Sequence, residues 1–237
     1  MKNRYSLLLC VLLFSMVWVG IAEAAVSVFF DSGTTNTTNA LTGFSTTGDL
    51  MAGMDVTAFF ADSSSETVTW ASLGAPAGKA TGTGWFLSEL GNTFSADWTL
   101  SNSTGQSLTR LLIDAGPGDT VFDTFFGGNF GTPGSGRGKD FTVTSGLGSL
   151  DIDATYRDEV ALTGFSPVGD LYRYLDIEFT SVGAFASGSS LKYITDTDNI
   201  LFAGDIAPVP EPLSFCIWGL LAGLGIAIGR RHWLRAA

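Results

Sequence analysis

The sequence predicts an all-β protein, an antiparallel β-sandwich of the jelly-roll type, between residues 25 and 207. Short segments rich in Val, Ile, Thr, Phe and Trp recur along this stretch. Clusters of Gly, Asn, Ser and Pro separate them, and the 30 glycines of the chain favour many tight turns. No long stretch keeps the 3.6-residue period of an amphipathic helix.

Eight segments are the predicted strands, and several alternate with a period of two. In the second segment, Val68 and Trp70 point to one side of the strand, while Thr67 and Thr69 point to the other. We expect such strands to pair antiparallel and to bury one face of each sheet in a shared core. The segments are DVTAFFAD, SETVTWASL, GTGWFLSEL, FSADWTLSNS, LTRLLIDAG, FTVTS, LYRYLDIEFTS and LKYITDTDNILF.

One stretch of sequence occurs twice. Residues 40–55 read ALTGFSTTGDLMAGMD and residues 161–176 read ALTGFSPVGDLYRYLD. Two distant copies do not make a solenoid, which needs several copies at a short, regular period. We therefore expect two equivalent loops that lead into strands, on neighbouring parts of the sandwich.

The N-terminus has the three parts of a secretory signal peptide. Lys2 and Arg4 precede an apolar run from Leu7 to Ile21, and small residues follow it up to Ala24. A retained membrane helix is the alternative, but the run has about fifteen residues where a bilayer needs about twenty. We expect residues 1–24 to be removed and residues 25–207 to form the exported domain.

The charge of the exported domain excludes one class of partner. Residues 25–207 contain 21 acidic and 7 basic side chains, a net charge of about −14. Proteins bind nucleic acid by neutralising phosphates with Lys and Arg, so we expect no nucleic-acid partner. A surface this acidic suits solubility outside the cell and the binding of cations.

The distribution of Cys and His excludes several kinds of catalytic site. Cys10 lies in the predicted signal peptide, Cys216 in the C-terminal apolar run, and His232, the single histidine, in the tail. The exported domain therefore has no Ser-His-Asp triad, no Cys-His pair and no histidine zinc site. Its stability must come from its core and not from disulfides.

A glycine-rich segment, GGNFGTPGSGRGK, covers residues 127–139. It has a superficial likeness to a phosphate-binding loop, but Pro133 stands where the first glycine is required and Asp140 replaces Ser or Thr. We expect a flexible excursion on the surface.

The C-terminus combines an apolar run with a basic tail. Leu213 to Gly229 is free of charge, and as a helix it would rise about 25 Å, enough to span a membrane. Arg230, Arg231 and Arg235 follow it and favour the cytoplasmic side. Directly before it, Pro210, Glu211 and Pro212 form an extended segment that a processing enzyme can reach.

The signal peptide, the VPEP motif, the apolar helix and the RR-containing tail together resemble the PEP-CTERM proteins of Gram-negative bacteria. The match to the sorting signal covers residues 208–237. The resemblance implies export by the secretion machinery and a transient anchor at residues 213–229 in the cytoplasmic membrane. It further implies recognition of Pro210, Glu211 and Pro212 by an exosortase, then delivery to the cell surface or the extracellular matrix.

Three functions are open for the exported domain. The first is a non-enzymatic component of the surface or exopolysaccharide matrix of a biofilm. The second is a carbohydrate- or calcium-binding module. The third is a glycoside hydrolase with two catalytic carboxylates, which needs neither His nor Cys; the adjacent Asp158 and Glu159 are a poor pair because they would face opposite sides of a strand. We expect no enzymatic activity and no cofactor, except that calcium is possible.

Two pairs of aspartates are the candidate calcium ligands. Asp151 and Asp153 form one pair, and Asp196 and Asp198, followed by Asn199, form the other. Carboxylates two residues apart on a strand share a face and repel each other, and a hard cation with oxygen ligands relieves this repulsion. For sugar binding the candidates are Trp70, Trp85 and Trp98, but we expect these to anchor the core.

Overall fold

The computed structural model describes residues 24–125, 131–181 and 185–202. These residues form fourteen strands and two short 3₁₀ helices, which confirms the prediction of an all-β protein. None of their helices has the length and apolar character to cross a membrane. The predicted signal peptide up to residue 23, the apolar run 213–229 and the sorting motif lie outside the described residues.

The strands are mostly four to seven residues long, with three longer ones. Their bounds are β1 Val26–Gly43, β2 Asp55–Phe60, β3 Ser65–Thr69, β4 Ala71–Gly74, β5 Ala77–Thr81, β6 Trp85–Leu90, β7 Trp98–Asn102, β8 Leu108–Asp114, β9 Thr120–Asp123, β10 Thr142–Ser145, β11 Ile152–Leu162, β12 Leu171–Phe179, β13 Ser190–Ile194 and β14 Asp196–Phe202. The 3₁₀ helices are Gly48–Met51 and Gly116–Gly118.

The strands form two sheets. The larger has the order β11-β1-β14-β9-β12-β8-β2-β3, and the smaller has the order β10-β13-β7-β6-β5-β4. The pairings between these strands are antiparallel except that of β1 with β11, which run parallel from Val26 opposite Ile152 onward. The parallel pair is a departure from the expected antiparallel arrangement.

Four strands, namely β1, β5, β9 and β11, lie outside the predicted segments. The first is the longest, but its sequence VSVFFDSGTTNTTNALTG is mostly polar and exposed, so it lacks the apolar alternation by which strands are recognised. The segment LKYITDTDNILF is in fact two strands in different sheets. Thr195, fully buried, is the residue at which the chain passes from one sheet to the other.

Five strands of the larger sheet close into a ring. Besides its place in the strand order, β11 also pairs with β12. The pairings β1–β11, β11–β12, β12–β9, β9–β14 and β14–β1 therefore form a closed cycle. A small apolar cluster of its own belongs to these strands, with Val121, Val160, Leu171 and Ile200 buried and Leu41 packed against them.

The main core lies between the two sheets, and three tryptophans anchor it. Trp70, Trp85 and Trp98 are almost completely buried, as expected. Two of the indole nitrogens donate hydrogen bonds to backbone carbonyls. That of Trp70 donates to Gly48 at 2.7 Å, and that of Trp98 donates to Thr195 at 3.1 Å. Truncating such a residue to Ala typically costs about 3–5 kcal/mol.

The two copies of the repeated sequence begin at equivalent positions but then differ, because residues 48–51 of the first form a 3₁₀ helix whereas residues 171–176 of the second belong to β12. The first copy begins at the end of β1 and the second at the end of β11, and these two strands are neighbours in register, with Thr37 opposite Ala161. The copies lead into β2 and β12, which flank β8 on either side. Each copy thus starts at the end of one strand of the pair β1–β11. It leads to a strand that pairs with β8.

One carboxyl group, that of Glu89, is buried in the main core. Glu89 on β6 alternates with Trp85 and Leu87 and points inward with them, and it is 1% exposed. Neither of its carboxyl oxygens has a hydrogen-bond partner in the described part of the chain. Burial raises the pKa of Glu89 to about 8 although the adjacent backbone N–H of Gly48 lowers it, and the charge of Asp49 raises it further. The group is therefore mostly protonated at neutral pH.

The raised pKa of Glu89 predicts a loss of stability at high pH. A carboxyl that holds its proton more tightly in the folded state destabilises the fold as pH rises from its ordinary value of 4.5 to about 8. Glu89→Gln is neutral at every pH. We expect it to reduce the decline in the free energy of unfolding between pH 5 and pH 9, by on the order of 1 kcal/mol per pH unit within that window. Urea denaturation at each pH measures this.

The matched control is Glu178→Gln, the same change on an exposed side chain of β12. We expect this variant to keep the wild-type pH dependence. Equal pH dependence in the wild-type protein and in Glu89→Gln would contradict the assignment of a buried, protonated carboxyl to Glu89.

Candidate metal centre

Two strands of the ring bring three aspartates together. In the antiparallel pair of β9 and β14, Asp196 lies directly opposite Asp123, and Asp198 lies directly opposite Val121. Because side chains alternate along a strand and opposite residues share a face, Asp123, Asp196 and Asp198 lie on one side of the sheet. Ile200 of the small apolar cluster lies on the same side.

The three carboxylates are close together and buried. One oxygen from each lies within 4.8 Å of one oxygen of the other two. Asp123 and Asp198 are 1% exposed, and Asp196 is 5% exposed. The prediction that Asp196 and Asp198 share a face is confirmed. Asp123 had not been predicted, because its proximity depends on the pairing of strands that are 73 residues apart in the sequence.

A single hydroxyl group connects two of the acids. The Ser135 Oγ lies 2.9 Å from Asp123 Oδ2 and 2.9 Å from Asp198 Oδ2. A hydroxyl has one proton to donate, so it can satisfy only one of the two oxygens if both are ionised. Asp198 Oδ1 is buried and has no hydrogen-bond partner among the described residues. The cluster therefore needs either a bound proton or a cation.

Asp196 is better satisfied than the other two acids. Its Oδ1 accepts a hydrogen bond from the Thr93 hydroxyl at 2.8 Å and another from the backbone nitrogen of Thr197 at 2.9 Å. These bonds fix the orientation of the carboxylate and leave its second oxygen for another ligand.

The glycine-rich segment lies at the surface, as expected, and it also covers this cluster. Its described part, residues 131–139, contributes Ser135 and also two backbone hydrogen bonds: Lys139 donates to the carbonyl of Asp123, and Asp196 donates to the carbonyl of Lys139. At Gly138, an added Cβ would collide with the backbone of Asp123. Glycine is therefore required for this close approach, and not for flexibility.

A fourth aspartate lies beside the cluster. Asp170 is buried and accepts two hydrogen bonds from Thr132, one from its backbone nitrogen and one from its hydroxyl at 2.7 Å. Asp170 is not one of the three grouped acids, but its charge acts on Asp123 and Asp198. It makes the region more negative and the need for a cation greater.

The pKa values of the three acids are raised by their surroundings. Burial raises the pKa of Asp123 to about 8, and the charge of Asp198 raises it further. Burial raises the pKa of Asp198 to about 7, and that of Asp196 to about 6 although the hydrogen bond from Thr93 lowers it. Without a cation the site therefore holds protons at neutral pH, and a cation would displace them.

The ligand set points to a hard cation. All candidate donors are oxygens, and residues 25–207 contain neither Cys nor His. Two oxygens bound to one calcium ion at about 2.3–2.6 Å lie at most about 5 Å apart. The separation of no more than 4.8 Å between the three carboxylate oxygens satisfies this condition.

The other candidate residues take structural positions. Asp151 Oδ1 accepts a hydrogen bond from the backbone nitrogen of Ala25 at 3.0 Å, and Asp153 lies on β11; neither belongs to the acid group. Asn199 points away from the cluster: it accepts from the Thr46 hydroxyl at 2.9 Å and donates to the carbonyl of Leu50 at 3.0 Å. Of the predicted residues, Asp196 and Asp198 belong to the acid group, which Asp123 completes, and Asp151, Asp153 and Asn199 do not. The residues of the sorting motif, Pro210, Glu211 and Pro212, and the basic tail lie outside the described residues.

Comparison with protein-family models, with curated proteins and with solved structures finds no match for this chain.

The acid cluster predicts an unusual pH dependence in cation-free protein. A carboxyl whose pKa is higher in the folded state loses stability as pH rises from its ordinary value of 3.8 toward the raised one, here about 6 to 8. We expect the free energy of unfolding in EDTA to fall from pH 5 to pH 8, and to fall less in Asp198→Asn. Urea denaturation in EDTA measures both.

Asp153→Asn, the same change outside the cluster, is the matched control and should follow the wild-type curve. A curve for Asp198→Asn that is identical to wild type would mean that Asp198 is not under electrostatic stress.

Proposed function

We propose that this chain is an exported, non-enzymatic protein of the cell surface or extracellular matrix, and that its domain binds calcium through Asp123, Asp196 and Asp198. The observation that carries the proposal is the arrangement around Ser135, where one hydroxyl lies between two buried carboxylates and Asp198 Oδ1 has no hydrogen-bond partner among the described residues. A divalent cation would supply the missing positive charge, and the unpaired oxygen would bind to it.

A calcium ion at this site would be a structural crosslink. The ligands come from β9 and β14, and the Ser135 segment covers them, so three separate parts of the chain would be tied together. Calcium modules outside the cell commonly have dissociation constants of about 10⁻⁴–10⁻³ M. Burial and three carboxylates favour binding, whereas the protons held at neutral pH weaken it.

The fold supports a role in the matrix at a coarse level. Two sheets around one main core are consistent with the proposed β-sandwich of the jelly-roll type, in which the parallel pair β1–β11 is an unusual feature. Such domains offer extended surfaces for binding. Carboxylate-dependent hydrolysis is the weaker alternative, because a cation shared by the three acids would occupy the groups that catalysis needs.

The export and sorting part of the proposal depends on the sequence. The N-terminal signal peptide, the VPEP motif, the apolar run 213–229 and the arginines of the tail resemble the PEP-CTERM arrangement. We propose that an exosortase recognises Pro210, Glu211 and Pro212 after the domain has crossed the cytoplasmic membrane. The helix and tail would then be removed or replaced.

Calcium should stabilise the exported domain through these acids. At a free concentration of 100 times the dissociation constant, a ligand that binds only the folded state adds about 2.7 kcal/mol. We expect calcium to raise the melting temperature of EDTA-treated protein, and Asp198→Asn to abolish this shift. Calorimetric titration with calcium should show one site in the wild-type protein and none in the variant.

The control is again Asp153→Asn, which should keep the calcium-dependent shift. Asp198→Asn should be at least as stable as wild type in EDTA at pH 8, because it removes a buried charge; this distinguishes a lost ligand from a damaged fold. An unchanged calcium response in Asp198→Asn would refute the assignment of the site.

The sorting proposal has its own test in the native host. Replacing Pro210, Glu211 and Pro212 with alanines should leave the precursor in the membrane fraction with an intact tail. Intact mass of the purified protein and membrane fractionation measure this. Asp198→Asn should be processed as wild type, because the two proposals concern different parts of the chain. Normal processing of the triple-alanine variant would contradict the sorting assignment.

A further inference from the structure

A pocket of about 280 Å³ opens onto the three aspartates. Asp123, Asp196 and Asp198 form part of its wall, and the rest includes Asn92, Phe94 and Arg137. Pockets for small molecules have volumes of about 300–1,000 Å³, so this one lies just below that range. The unpartnered Asp198 Oδ1 belongs to a side chain in this wall.

Aromatic rings stand at the rim of this pocket. Phe94 is 42% exposed and Phe44 is 61% exposed, and both line the pocket. Large apolar side chains of the described residues are mostly buried in the two cores. The two exposed rings thus place an apolar surface directly beside the polar surface of the acids.

Two cations beside the pocket are held by aromatic rings. The Arg137 guanidinium lies over the ring of Phe125 at 4.6 Å, and the Lys139 ammonium lies over the ring of Phe94 at 5.7 Å. Neither takes part in an ion pair of the described residues, whereas Arg110, Arg157 and Arg173 each pair with an aspartate. Their hydrogen-bond donors are therefore free of carboxylate partners.

A second and larger cleft adjoins the first. It has a volume of about 780 Å³ and shares Phe44 and Ser45 with the smaller pocket. Its wall includes further polar groups, among them Thr42 and Asn199. The two cavities thus adjoin at Phe44 and Ser45, and together we call them the path; its lining residues include the three aspartates and both exposed rings.

We propose that this path binds a neutral polysaccharide, with two adjacent hydroxyls of one sugar on the calcium ion and the C–H face of a ring against Phe94 or Phe44. The proposal rests on the calcium site proposed above. Three aspartates leave positions open on a calcium ion, which takes about 6–8 oxygens. Arg137 would donate hydrogen bonds to sugar oxygens, and the larger cleft has room for the next sugars of a chain.

The charge of the domain favours a neutral polymer over an acidic one. The exported domain carries a net charge of about −14, and Asp170 adds a further buried acid next to the site. A polyanion would be repelled at long range by this charge. A neutral sugar pays no such cost and still offers hydroxyl oxygens to the cation.

The experiment uses the exported domain in its calcium-bound form on columns of immobilised mannan, dextran and galactomannan, with alginate and polyacrylate as polyanions. We expect retention on at least one neutral polysaccharide in calcium and elution by EDTA. Phe94→Ala should bind the polysaccharide about tenfold more weakly, as expected for the loss of one aromatic contact, and should keep its calcium titration unchanged. Phe165→Ala removes a ring that is 63% exposed and is not among the lining residues of either cavity, and it should bind as wild type.

Each outcome separates this inference from the calcium site itself. If calcium binds but no neutral polysaccharide is retained, the inference is overturned and the calcium site stands. Retention on alginate and polyacrylate alone would also overturn it, since this would indicate ion bridging without recognition of a sugar. If calcium does not bind, the proposed function fails, and the cation-bridged mode of sugar binding fails with it.

Discussion

The pairing of β9 with β14 is the constraint on which the rest of the site depends. It sets Asp123 against Asp196, an arrangement that two like charges would oppose in an isolated hairpin. The pairing persists because the other face of the same two strands is also buried. Phe122, opposite Thr197, packs into the main core on that face. Apolar burial on one face thus holds together carboxylates that repel each other on the opposite face.

The closed ring of strands explains how such a cluster stays buried. In an open sheet, water would reach the acids at the edge and relieve their repulsion. Here β9 and β14 each have a neighbouring strand on both sides, and the Ser135 segment lies across the face that carries the acids. Low exposure raises the electrostatic cost of the three carboxylates and at the same time strengthens their attraction for a cation. If the acids bind a cation as proposed, the domain loses stability in the cation-free state and gains affinity for hard cations.

The sequence predicts the part of this arrangement that lies on one strand, but not the part that depends on residues far apart in the sequence. Asp196 and Asp198 could be recognised as a pair because the period of two is a property of one strand. Asp123 and Ser135 could not be recognised in this way. Asp123 reaches the cluster through the pairing of β9 with β14, and Ser135 through the segment that covers the cluster, and both are far from β14 in the sequence. The same limit applies to β1, which is held by its neighbours β11 and β14 although its own residues are largely polar. The glycines of residues 131–139 suggested mobility, whereas Gly138 serves close packing against Asp123.

The order of the ligands along the chain also determines when the centre can form. Asp123 comes from the middle of the domain, while Asp196 and Asp198 lie on β14, the last strand of the described residues. Closing the ring therefore needs nearly the whole domain, and contacts of such long separation form late in folding. If the domain is exported as proposed, β14 is also the last strand to cross the membrane before the sorting segment at residues 208–237. Calcium outside the cell would then meet a site that is complete only after translocation of the domain, so that binding would favour the folded, exported state.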